Sequence, residues 1–446
     1  MADSLKRTLG TTDLTLLVIG NVIGSGIFLV PSTVLKLSGE SVAIASGVWL
    51  FGGILSLLGA LSYGELGAMD RGSGGLYSYI RDGFGALPAF LYGWTLFFVI
   101  GSGTIATLAV AAANYMGQFA LLSPIAKKVI ATALIVLMMA INVRGTRESA
   151  SVQNVATGIK VVAILAMSVI LLALGTGGDA VATTTAPAAT FSGIGLSIIS
   201  VLWAYEGWQY VTFAAGEATA PQRSLPRAIV TGTIALIVIY LVANFAYLAA
   251  LGPASVAASD RVAGEAVAHV LGPAAGSVIA LAIIISMYSA AHATVITAPR
   301  VYYSMAKDGL FFKRLAEVHP KFGTPALAIA SSCVWAMVLA LSGTFEQLLT
   351  YVVFVGWIFY ALGAAAVISL RIKRPNAERP FRVPWYPVTP VVFVLAAAAI
   401  VLNTVYEQPG QSAIGIGVVL LGIPAFVAWR RNQVVPSSLP GDQGPP

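Results

Sequence analysis

The sequence predicts an all-α polytopic membrane protein with twelve transmembrane helices. Of its 446 residues, 58% are hydrophobic and only 10% are charged, whereas soluble domains contain about 25% charged residues. The apolar residues fall into twelve stretches of about 17–30 residues, and a helix needs roughly 20 to cross a bilayer. We therefore expect the lipid bilayer to be the main environment of this chain, with no separate soluble domain.

The spans are expected in regular succession along a single transmembrane domain, residues 1–431. The polar segment 432–446, rich in Pro, Gly and Ser, is expected to be a disordered cytoplasmic tail. The fourth and ninth spans are the shortest. In chain order, the predicted spans cover residues 14–33, 43–68, 87–117, 128–143, 152–174, 193–216, 228–251, 275–301, 325–342, 347–369, 386–406 and 412–429.

The distribution of basic residues orients the chain in the membrane. With the N-terminus in the cytoplasm, 20 of the 25 Lys and Arg residues fall in cytoplasmic loops. Only Lys36, Lys127, Lys128 and Arg261 fall outside, and Lys160 lies within a span. Cytoplasmic loops carry the excess of Lys and Arg, so both termini are expected in the cytoplasm of a multi-pass protein of the cell (inner) membrane. Because the basic residues are dispersed over many loops, the net charge of +7 does not indicate nucleic-acid binding.

The first span is interrupted near its centre by Gly24-Ser25-Gly26. Glycine favours local unwinding of a helix, and unwound backbone inside a membrane is tolerated only where it lines a cavity or contacts protein. The exposed N–H groups at the start of a half-helix suit a carboxylate. We therefore predict substrate-binding residues at Val22, Ile23, Gly24, Ser25 and Gly26, although small residues also serve close helix packing, and both interpretations remain open.

The sixth span contains a second candidate break at Trp203-Ala204-Tyr205-Glu206 followed by Gly207. An acidic residue at mid-membrane indicates a functional site by default. Freed carbonyl groups here would accept hydrogen bonds from an ammonium group, and the Trp203 ring would cover a ligand. Glu206 either contacts the substrate or has a structural hydrogen-bonding role. We predict that Trp203, Ala204, Tyr205 and Glu206 complete the substrate site.

Lys160 lies inside the fifth span, where a cation must find acceptors. About eight residues separate it from the start of the span, so its side chain reaches water only in part. We predict that it stands where a sodium ion would sit, between carbonyl groups of the first break and hydroxyl groups of the eighth span. The hydroxyl candidates in the eighth span are Ser286, Ser289 and Thr294, of which Ser286 and Ser289 are predicted to form the site with Lys160.

The two breaks fall in the first and sixth spans, which divides ten spans into two halves of five. Five is an odd number, so the second half begins on the opposite side of the membrane and the repeat is inverted. The predicted repeats cover residues 14–174 and 193–369, and spans eleven and twelve (residues 386–429) are additions.

The sequence contains no motif typical of an enzyme or of a cofactor-binding protein. The chain has one Cys and three His, without metal-ligand spacing. We find no phosphate-binding loop and no nucleophile motif. We therefore predict no catalytic residues, no metal, no cofactor and no ATP-driven step.

Several segments together resemble the amino acid–polyamine–organocation (APC) superfamily, most closely its L-type amino-acid transporter (LAT) branch. The resemblance covers nearly the whole chain except the tail. The matching segments are Ile23-Gly24-Ser25-Gly26-Ile27-Phe28, Tyr63-Gly64-Glu65-Leu66-Gly67, Gly74-Gly75-Leu76-Tyr77, Trp203-Ala204-Tyr205-Glu206-Gly207-Trp208, residues 216–229 and residues 299–309.

The resemblance implies a LeuT-like fold of two inverted five-helix repeats plus two helices. It also implies that the substrate carboxylate binds the Gly-Ser-Gly segment, that the substrate amino group binds carbonyls of the sixth span, and that Lys160 replaces sodium. Eukaryotic relatives pair with a glycoprotein through an external Cys, which this chain lacks, so no disulfide-linked heavy subunit is expected. Leu76, Arg71 and Glu206 depart from many relatives.

These observations predict a sodium-independent secondary transporter of L-amino acids, most simply an exchanger of small or medium neutral amino acids. Its expected partners are the amino-acid substrate and the bilayer, and no oligomeric state is predicted. Two alternatives share the fold: a proton-coupled symporter and an exchanger of cationic amino acids or amines. A non-transporting nutrient sensor is a distant alternative, because such proteins carry larger cytoplasmic segments.

Overall fold

The computed structural model describes residues 7–69, 74–117, 119–177, 188–343 and 345–431. Within these ranges the chain is helical, and the only β pairing is an isolated bridge between Leu9 and Ala218. The prediction of an all-α protein is thus confirmed for the described residues. The predicted tail, residues 432–446, and Arg71 lie outside them.

The described residues between Thr11 and Leu174 form eight helices. A π-helical turn, Leu96–Ile100, joins the fifth to the sixth and makes them one continuous span. Pro124 begins the seventh helix, and the Ser123 hydroxyl caps it by accepting a hydrogen bond from the Ala126 N–H at 3.2 Å. The helices are α1 (Thr11–Val22), α2 (Gly26–Leu37), α3 (Val42–Met69), α4 (Leu76–Phe84), α5 (Ala86–Thr95), α6 (Gly101–Met116), α7 (Pro124–Arg144) and α8 (Thr146–Leu174).

Between Phe191 and Arg431 the described residues form nine helices and two 3₁₀ segments, Trp208–Glu217 and Lys313–Ala316. The helical conformation of α10 is interrupted at Gly252, whose φ of 73° is left-handed, so the last six residues form a separate turn. The helices are α9 (Phe191–Ala204), α10 (Pro221–Ala258), α11 (Val262–Leu271), α12 (Pro273–Thr297), α13 (Pro299–Lys307), α14 (Ala326–Ser342), α15 (Phe345–Lys373), α16 (Val388–Glu407) and α17 (Pro409–Arg431).

Apolar length identifies a multi-pass membrane protein. Nine helical segments of the described chain are long and apolar enough to cross a bilayer, and α1 with α2, bent by 45° between them, adds a tenth. Other apolar helices of the described chain are shorter: α14 has 17 residues, α11 has 10, and α9 has 14 before the 3₁₀ segment begins.

Burial separates central from peripheral helices. In the most apolar stretch of α5–α6, 78% of residues are buried, against 17% in α7 and 22% in α17. The broken helix α1–α2 packs against α10, α8, α12 and α9. The first break therefore lies inside the bundle, where backbone polar groups need protein partners.

A buried carboxylate fastens one end of α3 to the end of α15 and the segment that follows. Glu65 is 1% exposed and accepts two hydrogen bonds from Arg371, at 2.9 and 2.7 Å. It also accepts the backbone N–H of Val383 at 2.7 Å and lies 3.3 Å from Arg379. This acid thus joins three parts of the chain that are distant in sequence.

We expect Glu65→Ala to destabilise the protein, because it leaves two arginines and a buried N–H without their acceptor. Removing one partner of a buried pair costs about 3–5 kcal/mol. Thermal unfolding in detergent, followed by size-exclusion chromatography, should show a melting temperature lower by several degrees. Glu378→Ala is the matched control because Glu378 is exposed in the same region. Equal melting temperatures for both variants would contradict the structural role of Glu65.

Candidate functional site

Both helix breaks lie where the sequence places them, and they touch each other. The first falls between Val22 and Gly26, and the second between Ala204 and Trp208. A Cβ atom on Gly26 would lie 2.4 Å from the Ala204 Cα, closer than real atoms approach. Glycine at position 26 therefore allows the two broken helices to meet backbone to backbone.

Gly207 produces the turn that ends the second break. Its φ of 114° is left-handed, a conformation that glycine adopts without steric cost. A Cβ atom at this position would lie 3.1 Å from the Cβ of Asn21. The backbone of the second break thus packs on the last turn of α1.

Lys160 satisfies the carbonyl groups that the first break leaves without helical partners. Its Nζ donates to the carbonyl oxygens of Gly20 at 2.7 Å and Ile23 at 2.6 Å, and the residue is 1% exposed. The Ser286 hydroxyl lies 3.1 Å from the Ile23 oxygen and 3.3 Å from that of Gly24. Donors from α8 and α12 therefore converge on a short stretch of backbone that water would otherwise have to solvate.

Tyr240, which the sequence analysis did not select, joins the two breaks. Its hydroxyl lies 2.9 Å from the carbonyl oxygen of Ala204 and 3.1 Å from that of Val22, so a single proton is shared between them. Tyr240 projects from α10 and is fully buried. A buried Tyr hydroxyl normally finds a partner, and a tyrosine in the middle of an apolar span was the signal available in the sequence.

Ser25 and Trp203 form a second direct contact between the breaks. The Trp203 Nε1–H donates to the Ser25 hydroxyl at 3.2 Å, and both side chains are buried. Tyr205 has a different surrounding: its ring packs 6.1 Å from that of Trp49 and 5.0 Å from that of Tyr240. The side chain of Tyr205 therefore belongs to an aromatic cluster among α3, α9 and α10.

Glu206 lies buried in the second break, bonded to two residues that the sequence analysis did not select. One of its carboxylate oxygens accepts from Gln209 Nε2 at 2.8 Å and from the Tyr360 hydroxyl at 2.5 Å. The Tyr360 backbone carbonyl in turn accepts from the Tyr63 hydroxyl at 3.2 Å. The carboxylate is thus held toward α15 and α3, and no ion pair reaches it from the described residues.

Ser289 belongs to a network apart from Lys160. Its hydroxyl lies 3.1 Å from Gln153 Nε2 and 3.4 Å from Gln153 Oε1. His292 Nδ1 lies 3.4 Å from the same amide oxygen, and Thr157 Oγ1 lies 3.2 Å from Nε2. Of the two predicted hydroxyl partners of Lys160, Ser286 therefore contacts the same carbonyl, whereas Ser289 binds α8 through Gln153.

A cavity opens on one side of the breaks. Its volume is about 530 Å³, and it is lined by residues of α2, α6, α9, α15 and the segment around Asp260 and Arg261. Along α2 the lining begins at Leu29, four residues beyond Ser25, and along α9 it includes Ile199, four residues before Trp203. The cavity thus approaches the paired breaks to within about one helical turn, or roughly 5–6 Å.

The opposite side of the breaks is closed by backbone pairing and a buried ion pair. The N–H groups of Thr8 and Leu9 donate to the Glu217 carbonyl at 2.8 and 2.9 Å. The Glu217 carboxylate pairs with Arg300 at 3.1 Å, with both side chains at most 2% exposed. Within the described parts of the chain, the cavity thus lies on one side of the paired breaks and these contacts on the other. Among the described residues no group of three or more His, Cys, Asp or Glu could hold a metal ion.

The sequence matches a known family of membrane proteins over almost its whole length. The sequence model of the family described as amino acid permease matches residues 9–426. The serine/threonine exchanger SteT of Bacillus subtilis (strain 168) is 30% identical over 97% of this chain and 98% of its own length.

Two mammalian proteins give similar matches. The mouse b(0,+)-type amino acid transporter 1 is 32% identical over 91% of this chain and 84% of its own. The mouse large neutral amino acids transporter small subunit 2 is 30% identical over 96% and 82%. Since the family match extends over nearly the whole described structure, including both breaks and the residues that join them, this chain belongs to the amino acid permease family of the APC superfamily.

Proposed function

We propose that this protein is a sodium-independent exchanger of small or medium neutral L-amino acids, which works by alternating access. The observation that carries the proposal is the pair of touching helix breaks, with the Lys160 amine on the carbonyls of the first. Similarity to proteins named as amino-acid exchangers and transporters supports it.

The proposed topology has twelve spans and both termini in the cytoplasm. The α9 helix and the 3₁₀ segment after it together rise about 40 Å, enough for a sixth span, and the 17 residues of α14 rise about 25 Å. Residues 14–174 and 193–369 would form the inverted repeats, and residues 386–429 the two added spans. With Lys36 and Arg261 outside, the cavity at the breaks faces the exterior.

In the proposed binding mode the substrate carboxylate meets the N–H groups at the start of α2, where Gly24, Ser25 and Gly26 free the backbone. The substrate amino group meets carbonyls at the end of α9, from Trp203 to Tyr205. This polarity follows the helix dipoles, since a half-helix is positive at its N-terminus and negative at its C-terminus. Trp203 would cover the ligand, and release of its bond to Ser25 would make room.

Lys160 is proposed to replace a coupling cation. Its two hydrogen bonds, at 2.7 and 2.6 Å, are as short as charge-assisted bonds. Such an amine holds the first break in place without any ion from solution. Ser286 supports the same carbonyls, and Ser289 with Gln153 fixes α12 to α8 nearby.

Proteoliposomes containing the purified protein test the exchange. We expect radiolabelled L-serine or L-alanine to enter vesicles preloaded with unlabelled neutral amino acids at least tenfold faster than empty vesicles. Replacing external sodium by choline should change the rate less than twofold. Uptake into empty vesicles driven by an inward proton gradient would instead establish a symporter, and absence of flux under both conditions would favour the sensor alternative.

We expect Lys160→Ala to lower the exchange rate at least tenfold while the protein still inserts and elutes as a single species. Each buried carbonyl left without a donor costs about 1–3 kcal/mol, and 1.4 kcal/mol corresponds to a tenfold change in rate.

Lys128→Ala is the matched control, because Lys128 also donates to a carbonyl, that of Leu341 at 2.6 Å, but at an exposed position. Its exchange rate should equal that of the wild type. Full activity of Lys160→Ala would remove Lys160 from the proposed mechanism.

Exchange of cationic amino acids is a second candidate function, favoured by the buried carboxylate of Glu206. We expect Glu206→Gln to weaken inhibition of serine exchange by lysine or arginine at least fivefold, while serine exchange itself changes less than threefold. Tyr360→Phe removes the hydrogen bond from Tyr360 to Glu206 but keeps the Glu206 carboxyl group. This variant therefore separates the contribution of the hydrogen bond from that of the carboxyl group. If the inhibition by cationic amino acids and the pH profile are both unchanged in Glu206→Gln, the carboxylate is structural.

A further inference from the structure

A second large cavity lies away from the helix breaks, at one end of the bundle. Its volume is about 780 Å³, and it is open to the surroundings. Residues from the α4–α5 junction, from the loop after α13 and from the last turns of α17 line it. These three parts of the chain lie together at one end of the bundle. The proposed topology assigns this end to the cytoplasm.

Two arginines lie on the rim of this cavity. Arg81 donates to Asp308 at 2.5 Å and to Asp82 at 3.3 Å through Nη1 and Nε, and its side chain is 38% exposed. Its Nη2 makes no hydrogen bond within the described part of the chain. Arg430, exposed at the end of α17, forms no ion pair with any described residue. Each arginine thus has donors available to a further acceptor.

The charge of the lining is complementary to a monoanion. The lining contains Arg81, Arg430 and one acid, Asp308, so its formal net charge is +1. Asp82, beside Arg81, is itself paired with Arg374 at 3.0 Å. A phosphodiester carries one negative charge, and its two non-bridging oxygens can accept paired hydrogen bonds from a planar guanidinium group.

The rest of the cavity wall is apolar and continues onto the outer surface of the bundle. Phe84 and Leu87 are 39% and 37% exposed, and the buried Phe426 also lines the cavity. Along the same helix as Phe426, Ile423 and Val427 are 38% and 41% exposed. In a membrane this exposed apolar surface would face acyl chains, and the cavity would open laterally toward lipid.

An aromatic cluster at this end of the bundle is typical of a membrane–water interface. Trp429 stacks on Phe311 with 5.7 Å between ring centroids and meets the edge of Phe312 at 5.0 Å. Phe90, at 6.1 Å, completes the contact with α5. Tryptophan is enriched at the level of lipid headgroups, where a phosphate and the start of two acyl chains are found together.

We propose that this cavity binds one anionic glycerophospholipid, with its phosphate between Arg81 and Arg430 and its acyl chains along Leu87 and Phe426. A soluble anion would use the arginines but leave the apolar wall without a partner. A zwitterionic phospholipid would fill the wall but bring a cationic group to a rim that is already positive. The lining therefore favours a lipid with a net negative headgroup.

Native mass spectrometry of the purified full-length protein tests the assignment without any transport assay. The protein is titrated with dioleoyl-phosphatidylglycerol or with dioleoyl-phosphatidylcholine of the same chain length. We expect one phosphatidylglycerol to bind at least fivefold more tightly than phosphatidylcholine. Arg430→Gln should weaken phosphatidylglycerol binding about fivefold, the effect typical of one basic residue near an anionic lipid surface.

Two further variants separate the site from general surface charge. Arg227→Gln removes another exposed arginine that lines neither cavity, and its lipid binding should equal that of the wild type. Ala86→Phe narrows the cavity without changing charge and should also weaken binding. Equal affinities for the two lipids, equal losses in Arg227→Gln and Arg430→Gln, or displacement of the lipid by millimolar inorganic phosphate would each overturn the proposal.

Discussion

Backbone groups freed from a helix inside a membrane must find hydrogen-bond partners, and this requirement organises the centre of the protein. The first break exposes the carbonyls of Gly20, Val22, Ile23 and Gly24, and every one of them has a donor from another helix. The donors Lys160, Ser286 and Tyr240 come from α8, α12 and α10. Satisfying one interrupted helix thus fixes the relative positions of three others, and the packing around them follows.

The arrangement also shows why the two breaks act as one unit. Tyr240 shares its proton between carbonyls of both, Trp203 donates to Ser25, and Gly26 lies against Ala204. A shift of either broken helix would alter all three contacts. A ligand that binds between the breaks would therefore be sensed by both halves of the bundle, which is the coupling that alternating access requires.

The sequence was sufficient for the features that follow from local composition. Gly24, Gly26 and Gly207 mark the breaks because glycine beside a polar residue weakens a helix in the middle of an apolar span, and Lys160 stands out because a mid-span cation must be neutralised or bonded. Tyr240, Tyr360 and Gln153 were missed because their roles depend on which helix faces them, and tyrosine and glutamine also occur in spans as ordinary packing residues. Ser286 and Ser289 lie one turn apart, yet only tertiary contacts assign the first to the break and the second to Gln153.

The two breaks each hold one buried ionisable side chain. Lys160 serves the first and Glu206 the second, and within the described structure no ion pair joins them, since each is bonded to neutral groups. In their ionised forms these two groups would create a dipole in a low-dielectric interior, and a zwitterion of matching orientation would interact favourably with both. The proposed neutral amino acid, with its carboxylate toward α2 and its ammonium toward the second break, fits that field without adding net charge. In the same proposal a cationic substrate would depend on Glu206 for its additional charge, so the choice of substrate charge would rest on that one residue.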